Sequence, residues 1–205
     1  PYTTLFRSIL ARSGDIVLIA PNIETASSAL VQSPNGATIL AAGQKAEITG
    51  RGLEGIRLEM QAPENTALNL GTLTGDAVGI FAGTLKHSGL INAVSATAQG
   101  GKVYLLGTRV GVMDGAVIDA SGTSGGEILI GGDYQGKNAA VQNAQVSYVG
   151  PQATIKANAT QAGGEGGKVI VWADDTTRVY GTIEATGGPG GKGGFIETSG
   201  HKYLD

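Results

Sequence analysis

The chain is 205 residues long with a net charge of −3, 15% charged and 41% apolar residues, 35 glycines and no cysteine. Low charge beside high apolar content excludes a disordered tether, and the missing cysteines exclude disulfides, thiolate metal sites and cysteine nucleophiles. No block of Lys or Arg supplies the footprint of a nucleic-acid binder, and no apolar run reaches the ~18 residues of a transmembrane helix.

The first eight residues, "PYTTLFRS", match nothing later in the chain. They lack the basic start, apolar centre and small-residue cleavage site of a signal peptide. From Gly14 onward one phrase recurs, a glycine followed by a short apolar run. It reads "GDIVLI" at Gly14, "GATILA" at Gly36, "GDAVGI" at Gly75, "GKVYLL" at Gly101, "GEILIG" at Gly126, "GKVIVW" at Gly167 and "GFIETS" at Gly194. Successive copies start 22 to 27 residues apart except across two gaps of 39 and 41. Each gap has room for one more turn, at "GIRLEM" (55–60) and "AQVSYV" (144–149).

A second phrase keeps pace with the first: "GLINAVSA" at Gly89, "GAVIDASG" at Gly115, "ATIKANAT" at Ala153 and "GTIEATGG" at Gly181. Each unit therefore carries at least two strands of four to six residues, divided by Gly, Ser, Asn or Asp turns. Alternation predicts Ile183 and Ala185 facing a core while Thr182, Glu184 and Thr186 face water. Helix is nearly excluded, since the closest approach to a helical pattern, "IETASSALVQ" (23–32), is short. Strand-only repeats of this length predict an all-β solenoid, a parallel β-helix of about eight or nine coils and roughly 40 Å in length. Glycine suits its corners, where the backbone turns sharply or approaches a neighbour. A β-sandwich or a propeller is the alternative architecture.

Candidate sites divide into those with a plain structural reading and one excursion. Asp174 and Asp175 in "WADDTT" resemble the clustered carboxylates of β-helix polysaccharide lyases and hydrolases, which bind Ca²⁺ or act as acid and base. Adjacent strand residues point to opposite faces, so the reading adopted is a solvated turn. Trp172 reads as packing rather than a sugar platform. His87 and His201 have no partner at metal-ligand spacing. "GGEGG" (163–167) and "GGPGGKGG" (187–194) lack the residues of a phosphate loop or a calcium-binding nonapeptide and read as coil corners. No G-x-S-x-G elbow occurs. No catalytic, metal or cofactor residue is assigned. The excursion "GGDYQGKNAAVQNAQVSYVG" (131–150) is either an extra coil or a contact surface formed by Asp133, Tyr134, Gln135, Lys137, Asn138 and Tyr148.

The stretches "GDIVLIAPNIETASSALVQSPNGATILAAGQKAEI", "GGEILIGGDYQGKN", "GGKVIVWADDTTRVYGTIEATGG" and "GGFIETSGHKYLD" resemble the large exoproteins of Gram-negative two-partner secretion, the filamentous-haemagglutinin-like adhesins and haemolysins. The resemblance covers residues 13–205. It implies a right-handed parallel β-helix, a chain that crosses the outer membrane unfolded through a dedicated barrel transporter, and a role in adhesion. A chain poor in cysteine suits that route. No secretion signal or secretion domain is recognisable, and "SPNG" (33–36) only partly echoes that domain's asparagine-proline-asparagine-glycine motif. The expectation is therefore an internal slice of the shaft: one domain over residues 9–205, truncated at both ends. Residues 1–8 resemble a translated sequencing-library adapter and are expected to lie outside the fold.

The functional expectation is a non-catalytic structural shaft, secreted or at the outer cell surface, that makes weak multivalent contacts with a host-surface glycan or protein. Two alternatives come from other classes. A carbohydrate-active β-helix enzyme would require a groove in which two carboxylates, or a carboxylate and a Lys or Arg, converge, and none is expected. Capture of a haem-carrying host protein is suggested only by relatives of the resembled family.

Overall fold

A computed structural model describes residues 8–43, 45–48, 52–53, 56–59, 64–93 and 100–205. Residues 1–7, most of the segment read as an adapter, lie outside the described residues, and Ser8 opens the first strand. Short β-branched and aliphatic runs between glycine corners cannot bury both faces alone, so each lies on its counterpart one turn earlier. The result is one continuous parallel sheet wound about an axis, a parallel β-helix with three sides.

The first coil is formed by Ser8–Leu10, Ile16–Ala20 and Ile23–Thr25, and the second by Leu30–Ala42 and Thr66–Asn69. The single strand Thr72–His87 makes the third, while Leu90–Ala93 and Lys102–Val112 make the fourth. Val117–Asp119, Glu127–Ile130 and Val146–Val149 complete the fifth, and Thr154–Lys156, Lys168–Ala173 and Thr176–Val179 the sixth. Thr182–Glu184, Phe195–Gly200 and Tyr203–Leu204 form the last.

Three columns of inward side chains run the length of the rod. On the first side Ile9, Val31, Leu73, Ile91, Ile118, Ile155 and Ile183 lie in register, one per coil. The second side stacks Ile16, Thr38, Val78, Val103, Ile128, Val169 and Ile196. The third stacks Ile23, Ala67, Leu85, Val110, Ser147, Thr177 and Leu204. These columns meet in one continuous core. Buried hydroxyls in them are hydrogen-bonded to backbone, as Thr38 Oγ1 is to the Thr74 carbonyl at 2.7 Å and Ser147 Oγ to that of Trp172 at 2.6 Å.

The described residues hold seven coils, not eight or nine. "AQVSYV" supplies the third side of the fifth coil rather than a turn of its own. Within "GIRLEM", Ile56–Glu59 pairs antiparallel with Lys45–Ile48, a hairpin standing off the coil path. Both glycine-rich segments fall at one corner, between the first and second sides, where Gly163 N–H donates to the Pro189 carbonyl and Gly188 N–H to that of Gly164. The same corner explains the recurring glycine of the first phrase. A Cβ at Gly126 would stand 2.1 Å from the Gly101 carbonyl oxygen, one at Gly167 2.1 Å from that of Gly126, and one at Gly194 2.0 Å from that of Gly167. Only a residue without Cβ lets successive coils approach this closely.

The second side differs from the other two in being covered outside as well as inside. Leu53 packs with Ala37, Ile39, Phe81 and Leu106 on its outer face, and farther along Leu129, Ile170 and Trp172 form a second outer cluster beneath Val141. A strand buried on both faces reads as an unbroken apolar run, which is why "ATILAA" and "KVIVWA" lack the alternation of "GTIEATG".

Candidate functional site

Residues 131–145 leave the coil at Gly131 and fold back over the outer second side. Asp133 begins a single 3₁₀ turn, Tyr134–Gly136, by accepting the Tyr134 N–H at 2.7 Å. The turn includes Gln135 at φ 54°, the single non-glycine residue of positive φ among those described. Its strained N–H donates at 3.2 Å to both carboxylate oxygens of Glu197, two coils on. Asn138 Nδ2 donates to Asp133 Oδ2 at 2.8 Å, Lys137 Nζ to Gln135 Oε1 at 2.6 Å, and the Tyr134 ring meets Phe195 edge-on at 5.7 Å.

A charge cluster fastens this excursion to the rod. Lys168 Nζ lies 2.9 Å from Asp133 Oδ1 and 3.6 Å from Glu127 Oε2, and the Tyr104 hydroxyl donates to Glu127 Oε1 at 2.7 Å. Partial burial alone would raise the Asp133 carboxyl, but hydrogen bonds from Asn138, Lys168 and the Tyr134 N–H overcome it and hold the group below its ordinary value. Burial likewise opposes charge on Lys168, and the Asp133 hydrogen bond with the two carboxylates outweighs it and holds the amine above its ordinary value. Carboxylates and a lysine thus do converge, contrary to the expectation from sequence. Glu127 and Lys168 are rung neighbours, and the excursion brings Asp133 onto them. Each shifted group is held in its charged state, the opposite of the tuning a proton-transferring pair requires.

The paired aspartates are also structural. Asp174 Oδ1 accepts from Trp172 Nε1 and from Asn143 Nδ2, both at 3.0 Å, and Asp175 pairs with Lys202 at 3.2 Å. They sit in a bend, as expected, but half-buried rather than fully solvated. Trp172 is buried against the outer sheet. His87 lies in the core beside Asn69, while His201 is exposed near the other end of the rod.

The six residues read as a contact surface do not form one patch. Asp133, Tyr134, Gln135, Lys137 and Asn138 gather in the excursion, whereas Tyr148 projects from the third side and stacks edge-on with Tyr180 at 6.0 Å. Tyr148 belongs instead to an open groove of about 380 Å³ lined by Thr84, Lys86, Arg109, Gly111, Met113 and Tyr148 among others. Register explains it: Lys86, Gly111 and Tyr148 occupy one outward column on successive coils, and Thr84, Arg109 and Val146 the next. Sequence reading missed the groove because its members come from three separate phrases and meet only through stacking.

No protein-family model matches the chain, and no curated protein does. Among solved structures it is similar to the HMW1 secretion domain from Haemophilus influenzae, at 29% identity and a TM-score of 0.68. The similarity covers 94% of this chain and 59% of that one, so the present residues span less than two thirds of the protein they match. The likeness is in keeping with the general expectation of an exoprotein segment, and it is to a secretion domain, where the sequence offers no recognisable one. The "SPNG" echo lies in a bulged corner, where Ser33 Oγ donates to the Gly14 carbonyl and the register shifts before Ala37. Among the described residues no helix is long and apolar enough to cross a membrane.

Proposed function

We propose that these residues form the secretion-directing β-helix of a large exoprotein of the two-partner type, delivered through an outer-membrane barrel transporter to the medium or the outer cell surface. The single observation that carries the reading is the likeness to the HMW1 secretion domain, sustained over 94% of the chain at 29% identity. The continuous three-sided stack supports it, since a rod of this kind extends by adding coils and serves as the base of a longer non-catalytic shaft. Adhesion to a host-surface glycan or protein is the role we assign to the complete exoprotein.

The test is export. The chain is directed to the periplasm of a Gram-negative host and co-expressed with its cognate barrel transporter, identified by sequencing the genes that flank its own. Appearance in the medium or on the cell surface, dependent on that transporter, is the expected result. Retention in the periplasm with the transporter present and folded overturns the proposal.

A further inference from the structure

The groove on the third side surrounds a missing side chain. Gly111 is its floor. Lys86 stands on the coil before and Tyr148 on the coil after, both in register with it, while Arg109 precedes it on its own strand and Met113 follows. A Cβ on Gly111 would meet only the Met113 sulfur at 3.0 Å and the Leu85 carbonyl oxygen at 3.7 Å. The Met113 sulfur thus covers one side of the floor, and the rest of the groove opens to solvent.

Its chemistry selects the occupant. Lys86 and Arg109 are exposed, and neither has an ion-pair partner among the described residues. Among the described residues no carboxylate lines the groove, although the chain as a whole carries a net charge of −3. Beside the cations the outward apolar side chains are those of Met113, Val146 and Tyr148, while Leu85 and Val110 turn theirs into the core and present only backbone. Two cations flanked by Met113, Val146 and Tyr148 call for an anionic group with apolar neighbours, and a carboxylate beside aliphatic side chains matches both features at once.

We infer that this groove binds an extended peptide segment of a partner protein, seating one Asp or Glu side chain above Gly111 between Lys86 and Arg109, with aliphatic neighbours against Met113 and Tyr148. The guanidinium fork of Arg109 takes the carboxylate in two parallel hydrogen bonds and Lys86 adds charge. The inference is independent of the export reading, because transporter-dependent release can be measured with the groove filled.

The whole chain is panned against a phage-displayed library of random heptapeptides. Selected peptides are then titrated by fluorescence anisotropy against the unaltered chain and against Lys86→Gln, Arg109→Gln and Gly111→Val, each checked for an unchanged circular dichroism spectrum and melting temperature. Enrichment of peptides pairing Asp or Glu with Leu, Ile or Val is expected, with affinity falling at least tenfold in Arg109→Gln and in Gly111→Val. Three results would overturn the inference: no peptide above background, peptides that bind all variants equally, or a sulfated tetrasaccharide that binds the groove more tightly than any selected peptide. Should Gly111→Val lose its fold, the two glutamine variants decide the matter.

Discussion

Asn69 Nδ2 lies 3.0 Å from His87 Nδ1, one coil apart on the inner third side, where both residues are fully buried. Asn69 Oδ1 accepts from the Thr25 hydroxyl on the coil before, so three successive coils are joined by one polar chain through the core. An amide NH₂ can only donate, so Nδ1 of His87 accepts and the ring proton resides on Nε2, which faces the Val117 carbonyl at 3.4 Å. Burial lowers the His87 pKa to about 4, against lesser opposing effects of its backbone partners.

From that follows a pH dependence. Unfolded His87 takes up a proton near pH 6.5 and folded His87 near pH 4, so between these values the unfolded state binds more protons and stability falls as pH falls. Urea unfolding should show a loss of about 2 kcal/mol between pH 7 and pH 5, an interval in which most carboxylates do not titrate. His87→Leu should be less stable at pH 7 and should lose that slope. Equal slopes in the two proteins would contradict a neutral, buried ring.

The isoleucine column makes a positional prediction. Ile118 is fully buried between Ile91 and Ile155, whereas Ile183 on the last coil is half-buried. Ile118→Ala should cost about 2–5 kcal/mol in chemical unfolding, and Ile183→Ala distinctly less. A reversed order would mean that the inner columns do not carry the stability.

At the glycine corner, Gly126→Ala places a methyl group 2.1 Å from a backbone oxygen that has no side-chain freedom to retreat. The expected cost is about 1–3 kcal/mol or more, read from the urea midpoint. Gly115→Ala gives the contrast: nothing lies within 4 Å of the added carbon, and only the positive φ of 77° opposes it.

Lys168→Gln separates the excursion from the rod. With a side chain one-third exposed, the ion pairs contribute no more than about 1 kcal/mol to global stability. The local effect should be larger: faster amide exchange and protease cleavage across residues 131–145, with the rest of the chain unchanged. Unaltered exchange there would show that the outer apolar contacts of Val141 hold the segment unaided.

Two of the three sides were legible in the sequence. The second side announces itself as an unbroken apolar run, and the first as isoleucine at a fixed place in "GLINA", "GAVID", "ATIKA" and "GTIEA". The third has no shared wording, because its inner column passes through Ile23, Ala67, Leu85, Val110, Ser147 and Thr177. Ser147 and Thr177 are tolerated inside because a neighbouring carbonyl accepts each hydroxyl, a provision visible only once the coils are stacked. One stretch of the unseen side, "AQVSYV", therefore reads in the sequence as an additional turn, whereas "GIRLEM" does so because a hairpin strand has the same wording as a coil strand. The groove was hidden for the same reason: Lys86, Gly111 and Tyr148 are distant in sequence and adjacent only by register.

Every strand of the rod pairs with the coil immediately before or after it, at sequence distances such as the 18 residues from Asn69 to His87 and the 44 from Asn22 to Thr66. A polypeptide arranged in this way need not be present in full before it begins to order itself. Whichever end becomes available first zips into place, each new turn using the last as its template and drawing the next residues after it. Such a molecule takes shape in the order in which its chain arrives, and each turn laid down opposes the chain's slipping back.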